Sequence, residues 1–278
     1  MKYKAKYSIV FVCMFLLFPP SRATAEEVVL LFNDSGYMPF FSGDPGSEYL
    51  QYNGHGMLVD FLDAFEAKYP QHSIRRILVP RERANRMITE GTAEGYALNS
   101  PLFAGSLSDQ FTFSIPIWHT ADAVYVNRDQ PCYSNGEQLS GKLLGRIRGY
   151  GYGPLDDDLK SGRIRSMVVD KHEQLYRVLL ANRVDAIVDN IHVLTYKTRK
   201  EGANSTAFRA CSPALYEFDL SVFVRSEKKA FIRDLNTFIR MSMENGLLRN
   251  IERQWLGDFP PVSTYFDGTR KDEDANIQ

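Results

Sequence analysis

Cysteine is scarce, with three in 278 residues, and one of them, Cys13, lies in an N-terminal apolar run. No Cys-x-x-Cys occurs, so neither a zinc site nor a thiol redox motif is expected. The five histidines, His55, His72, His119, His172 and His192, are scattered without metal-ligand spacing, and each reads as a surface or core residue, with His119 beside Trp118 the one to watch. Positive charge is not in excess: 33 Lys and Arg stand against 34 Asp and Glu. That balance argues against nucleic acid or an anionic membrane as the main partner. There is no serine nucleophile elbow, no zinc-binding His-Glu pair and no carboxylate pair in an obvious acid/base context. After the N-terminal run, no stretch is apolar for long enough to span a bilayer. The chain thus lacks the usual marks of an enzyme, and no cofactor is called for.

What is present begins with a leader. Lys2, Lys4 and Lys6 precede the apolar run Ser8 to Phe18, and Ala23-Thr24-Ala25 follows as a small-residue cleavage pattern. Residues 1–25 are therefore expected to be a signal peptide, with the mature chain in the periplasm. Val12 before Cys13 disfavours a lipid anchor. Cys132 and Cys211 remain, and an even pair in an oxidising compartment predicts a disulfide between them.

The rest alternates strand and helix patterns. Val28 to Phe32 is a buried strand; Met57, Leu58, Phe61, Leu62 and Phe65 form a helical stripe closed by Pro70. Ile74 to Val79 reads as a strand, 81–90 as a helix stopped by Gly91, and Gly95 to Leu98 as a strand. The second half repeats the grammar. Leu144 to Ile147 runs into Gly149-Tyr150-Gly151-Tyr152-Gly153, and Met167 to Val169 precedes a helix capped by Asp170 with Glu173 as its capping-box partner. Arg183 to Val188 is the next strand. Parallel sheets with right-handed crossovers are expected in two lobes. Ala123 to Val126 and Leu220 to Val224 read as twin strands connecting them, and Phe231 to Ile239 and Leu248 to Trp255 as closing helices.

The order of motifs resembles the family 3 extracellular solute-binding proteins, the periplasmic receptors of polar amino-acid ABC transporters. The pieces are Tyr37-Met38-Pro39-Phe40, Gly56 to Leu62, Phe113-Ser114-Ile115-Pro116-Ile117-Trp118, Leu139 to Gly145, Arg148 to Tyr152, Asn182 to Ala186, Glu244 to Leu248 and Gln254-Trp255-Leu256-Gly257. They span nearly the whole mature chain. The resemblance implies an α/β type II periplasmic-binding-protein fold of two doubly wound lobes, 26–124 plus 224–278 and 125–223, closing on a hinge around one solute. One departure stands out. Amino-acid receptors of this kind carry an Arg about six residues before the Phe-Ser pair, and here Leu107 stands there between Ser106 and Ser108. Carboxylate recognition must then come from elsewhere, or the ligand is not an α-amino acid.

A polar solute needs aromatic faces and a few fixed polar groups. Tyr37 and Phe40 lie at the carboxyl end of the first strand, where ligands of open α/β sheets collect. Asn99 and Ser100 occupy the family's ligand-contacting loop, and Trp118 is either cleft wall or core. Arg148, with Gly149 and Tyr150, offers a cation and close backbone approach to an anionic group. Asp189 matches the position that accepts a ligand ammonium; its alternative is a helix N-cap. Arg81 and Arg83 are the candidates to replace the missing Arg. The expected partners are a small molecule and either transporter membrane subunits or a membrane sensor, with the receptor a monomer. The rival readings are a stand-alone signalling receptor and a dehydratase of the cyclohexadienyl type, for which Asp189 or His119 would supply acid/base chemistry.

Overall fold

The structure is a computed structural model that describes residues 25–44, 51–103, 110–200, 207–258 and 260. Of the expected leader only Ala25 is among them, and Ser106, Leu107, Ser108 and the tail after Pro260 lie outside. No helix among the described residues is long and apolar enough to cross a membrane.

The first half builds β1 (Glu26–Asn33), α1 (Met57–Lys68), β2 (His72–Val79), α2 (Arg81–Glu90), β3 (Gly95–Asn99), β4 (Phe111–Phe113) and β5 (Trp118–Asn127). Met57, Leu58, Phe61, Leu62 and Phe65 are all buried along α1, while Asp63 and Glu66 reach Arg76 at 2.6 Å each. Gly91 ends α2 in the left-handed region at φ 74°, as a C-terminal glycine should. The second half builds β6 (Leu143–Ile147), α3 (Asp156–Lys160), β7 (Arg165–Val169), α4 (His172–Leu180), β8 (Ala186–Asn190), α5 (Ile191–Lys200), β9 (Phe208–Ala210) and β10 (Tyr216–Arg225). The chain closes with α6 (Lys229–Glu244) and α7 (Leu247–Leu256), whose buried residues return to the first half's core with β1 and α1. Phe231, Ile232, Leu235, Phe238 and Ile239 are buried on α6, each worth about 1.5–3 kcal/mol of transfer free energy.

Three sequence expectations need adjusting. The connecting strand starts at Trp118, five residues before Ala123, because Ser114 and Ile117 already bond to β10 and lead the chain straight into the ladder. The strand expected over Arg183 to Val188 starts at Ala186 and runs on through Asp189 and Asn190, so Asp189 lies in the strand and does not cap the next helix. Helix α4 is preceded by Lys171, and its reciprocal bonds come from Gln174, whose Oε1 accepts the Asp170 and Lys171 N–H groups. Glu173 instead accepts from Lys197 Nζ at 2.9 Å.

The strands run in the order β2-β1-β3-β10-β5-β8-β6-β7, with β4 added on β10 and β9 on β5. In each half the first strand pairs parallel with the second and third: β1 with β2 and β3, β6 with β7 and β8. Antiparallel strands complete both halves, so the sheets are mixed rather than purely parallel. The two halves share β10: Tyr216–Leu220 pairs with β5, and Ser221–Arg225 pairs with β3 and β4. Gly95 permits that second pairing, since a Cβ there would lie 1.8 Å from the Phe223 carbonyl oxygen. Separate apolar clusters cover both faces of each half. Cys132 and Cys211 are joined, their Cα atoms 5.3 Å apart. A second contact between the halves lies beyond the shared strands, where Arg199 on α5 donates to the Leu256 carbonyl on α7 at 2.7 Å.

Candidate ligand-binding cleft

The strand ends of the two halves face each other, and two loops meet between them. After β1, the Tyr37 N–H bonds the Phe41 carbonyl at 2.9 Å, and the Tyr37 ring stacks on Phe40 at 5.1 Å. After β6, Gly149 turns the chain at φ 77°, which presents Tyr150 to the first half. The Tyr150 hydroxyl donates to the Gly36 carbonyl at 3.3 Å, and its ring lies 6.3 Å from Tyr37. Nearby, Phe103 abuts Gly151, where a Cβ would come within 3.0 Å of the ring, and Arg81 approaches Gly149.

Behind these aromatics lies a polar cluster at the cleft end of β5 and β8. Asp122 is 9% exposed; its Oδ2 accepts from Tyr216 Oη at 2.7 Å and its Oδ1 from Asn190 Nδ2 at 3.2 Å. Asp189 is 6% exposed; its Oδ2 accepts from Tyr176 Oη and lies 3.0 Å from His172 Nδ1. The cross-strand partners are Asp122 with Asn190 and Ala123 with Asp189, so the two acids leave opposite faces of the sheet at its rim. His172 also lies 6.1 Å from the Tyr37 ring and 5.9 Å from Tyr150. Burial raises the Asp122 carboxyl to about 6, with the nearby Asp189 charge adding to the effect. Burial, then the charges of Asp122, Tyr150 and Asp189, hold the Tyr37 hydroxyl well above its ordinary value. Burial raises Tyr150 as well. Behind Phe40, Thr120 Oγ1 lies 2.7 Å from His192 Nδ1, and burial lowers that imidazole to about 3, leaving it neutral.

Of the residues singled out in the sequence, Tyr37, Tyr150, Gly149 and Asp189 are brought to this junction. Phe40 and Trp118 are buried immediately behind it, 5.3 Å apart between rings. Asn99 and Ser100 serve their own turn: Asn99 Oδ1 accepts the Ser100 N–H and Ser100 Oγ the Leu102 N–H. Arg148, expected to reach an anionic ligand group, points to solvent with its side chain 67% exposed and pairs with Asp170 at 2.8 Å. Arg81 lies over the Tyr96 ring at 5.2 Å, and Arg83 is exposed one turn into α2. His119 lies on an exposed part of the β5–β10 ladder, bonded to Glu217 and Asp219. Asp122, His172, Tyr216, Asn190 and Phe103 were not picked out. An acid inside the otherwise apolar Ala121 to Val126 run was the one available signal for Asp122. Surface concavities of about 490 Å³ beside Ser134 and Asp158, and about 380 Å³ beside Arg225 and Arg240, involve other residues. No group of three or more His, Cys, Asp or Glu among the described residues could hold a metal ion.

No protein-family model and no curated protein sequence matches the chain. Solved structures do match. A histidine kinase sensor domain with similarity to periplasmic binding proteins superposes at TM-score 0.68 and 17% identity, over 86% of this chain and 100% of that one. The GluR0 ligand-binding core from Nostoc punctiforme, in complex with L-glutamate, gives 0.65 and 18% over 83% and 99%. An ancestral arginine-binding protein bound to arginine gives 0.64 and 16% over 83% and 98%. The fold is that of a type II periplasmic-binding-protein-like domain. At these identities the likeness is one of fold alone, shared with binding and sensor domains.

Proposed function

We propose that this chain is an exported, non-enzymatic receptor of the family 3 solute-binding type that takes one small polar solute between its lobes. The observation that carries the reading is the meeting of Tyr37 from one half with Tyr150 and His172 from the other, directly over the buried Asp122 and Asp189. Such a junction supplies aromatic faces and a few fixed polar groups, which a small-solute cleft requires. Residues 26–124 with 224–278 form one lobe and 125–223 the other, with β5 and β10 as the flexing connection. Tyr37, Gly149, Tyr150 and Asp189 are the proposed ligand contacts, with Phe40 and Trp118 behind them and Asn99, Ser100 and Arg148 in the adjoining loops. Closure would shift the equilibrium between open and closed forms, and the closed form is what a membrane partner reads. Uptake through ABC-transporter membrane subunits is the leading role. The fold likeness to a kinase sensor domain favours docking on a membrane sensor as the second. A dehydratase-type enzyme is the third reading; of its two acid/base candidates, Asp189 lies at the junction and His119 outside it.

The test is a thermal-shift screen of the purified protein against amino acids, polyamines, small carboxylates and sugars. A ligand at one hundred times its Kd adds about 2.7 kcal/mol to the folded state, so at least one class should raise the melting temperature by several degrees. A flat response across the library would overturn the receptor reading.

A further inference from the structure

We infer that the cleft selects a small cationic amine that carries no carboxylate, with Asp122 and Asp189 supplying the charge and Tyr37 and Tyr150 the faces. This rests on the receptor reading above and specifies its ligand. Two carboxylates are buried at one junction, and among the described residues no Arg or Lys lies within ion-pair distance of either; His172 beside Asp189 is the one basic side chain within that distance. Buried acids without cations are costly, and a site that keeps them is arranged for a cation that arrives with the ligand. Asp122 has room for it. Each of its oxygens accepts one hydrogen bond in the structure, and a carboxylate oxygen can accept two.

A second observation points the same way. His172 is 6% exposed, and its Nε2 has no hydrogen-bond partner. His172 Nδ1 lies 3.0 Å from Asp189 Oδ2, and the tautomer with its proton on Nδ1 would offer Nε2 as an acceptor to a ligand donor. The same ring faces Tyr37 and Tyr150 at about 6 Å. The second lone pairs of the Asp122 oxygens likewise ask for a donor. The two tyrosine faces suit an ammonium or guanidinium group. Among the described residues a ligand carboxylate would find no uncommitted guanidinium fork there, since Arg148 is turned to Asp170 and Arg81, beside Gly149, lies over the Tyr96 ring.

The experiment is calorimetric titration and thermal shift of the full chain at pH 7.5 with putrescine, agmatine, L-glutamine, L-glutamate and glucose. Putrescine or agmatine is expected to bind and raise the melting temperature, with no response to the other three at equal concentration. Asp122→Asn should weaken the amine at least tenfold with an unchanged circular dichroism spectrum. Binding of glutamine, glutamate or glucose without either amine would overturn the charge inference while leaving the receptor reading standing. Silence from all five overturns the inference too, and the broad library then decides the receptor reading separately. Undiminished amine affinity in Asp122→Asn would remove Asp122 from the site. Should that variant fail to fold, the wild-type panel alone still decides.

Discussion

At the scale of single residues, Asp122 is the costly member of the junction. Its carboxyl is raised in the folded chain from 3.8 to about 6, mainly by burial, with Asp189 adding to the shift and Tyr216, Asn190 and His172 opposing it. Tyr37 and Tyr152 face the same region, and burial raises both. A carboxyl whose folded value is raised favours the folded state at acid pH, and that contribution is lost as pH rises through about 6. The difference of about two pH units corresponds to roughly 3 kcal/mol at neutral pH. Asp122→Asn keeps both hydrogen bonds, with its amide donating to Tyr216 Oη and its carbonyl accepting from Asn190. Without ligand it should therefore melt several degrees higher than wild type at pH 7.5, and the gap should narrow as pH falls toward 4. Melting curves across that range check this, and a gap independent of pH would show that Asp122 is not under strain. One residue would then stabilise the empty protein when removed and weaken the loaded one.

At the scale of elements, β3 and β10 carry the most exacting contact. Gly95 lies against the Phe223 carbonyl so closely that any side chain must part the strands. Gly95→Ala should lose several kcal/mol or fail to accumulate folded, as overpacking at a ladder does. Gly141→Ala offers the contrast: its surroundings are open, so its cost comes from its φ of 74° alone. Chemical denaturation of the two variants separates these causes, and equal losses would refute the steric account. Much of this scale was legible in advance. The stripe of Met57 to Phe65, the glycine stop at 91 and the repeated strand-helix grammar each state their own period or terminator. The start of β5 was not, because Trp118 to Thr120 follow a proline and read as loop until β10 is placed beside them. Nor was the cluster. Asp122 is hidden in an apolar run, and His172 looks like any polar residue at a helix start. Their meaning depends on which strand ends face each other, and periodicity is silent on that.

At the scale of the whole molecule, the halves are joined by paired strands, by the tyrosine junction and by the Arg199–Leu256 contact. Cys132 and Cys211 close a span of 79 residues that contains most of the second half, worth roughly 4 kcal/mol in loop-entropy terms. That bond ties the second half to itself and leaves the connection between halves untouched. Spin labels on exposed sites such as Arg83 and Lys160 should report a longer mean distance without ligand than with it, by several ångströms. A single distance in both conditions would argue that the lobes do not open.

The continuity of β10 bears on what such a movement can be. One strand enters two sheets: its pairing with β5 ends at Leu220, and its pairing with β3 begins at Ser221 with a register shift before Phe223. A two-stranded ribbon twists readily but resists stretching and shear, because either would slip the register. A movement between the halves is then expected to be a torsion about β10, seated at that shift in register. Cleft and far helices would then turn as one crank: whatever draws the tyrosines together must swing the opposite ends of the lobes apart.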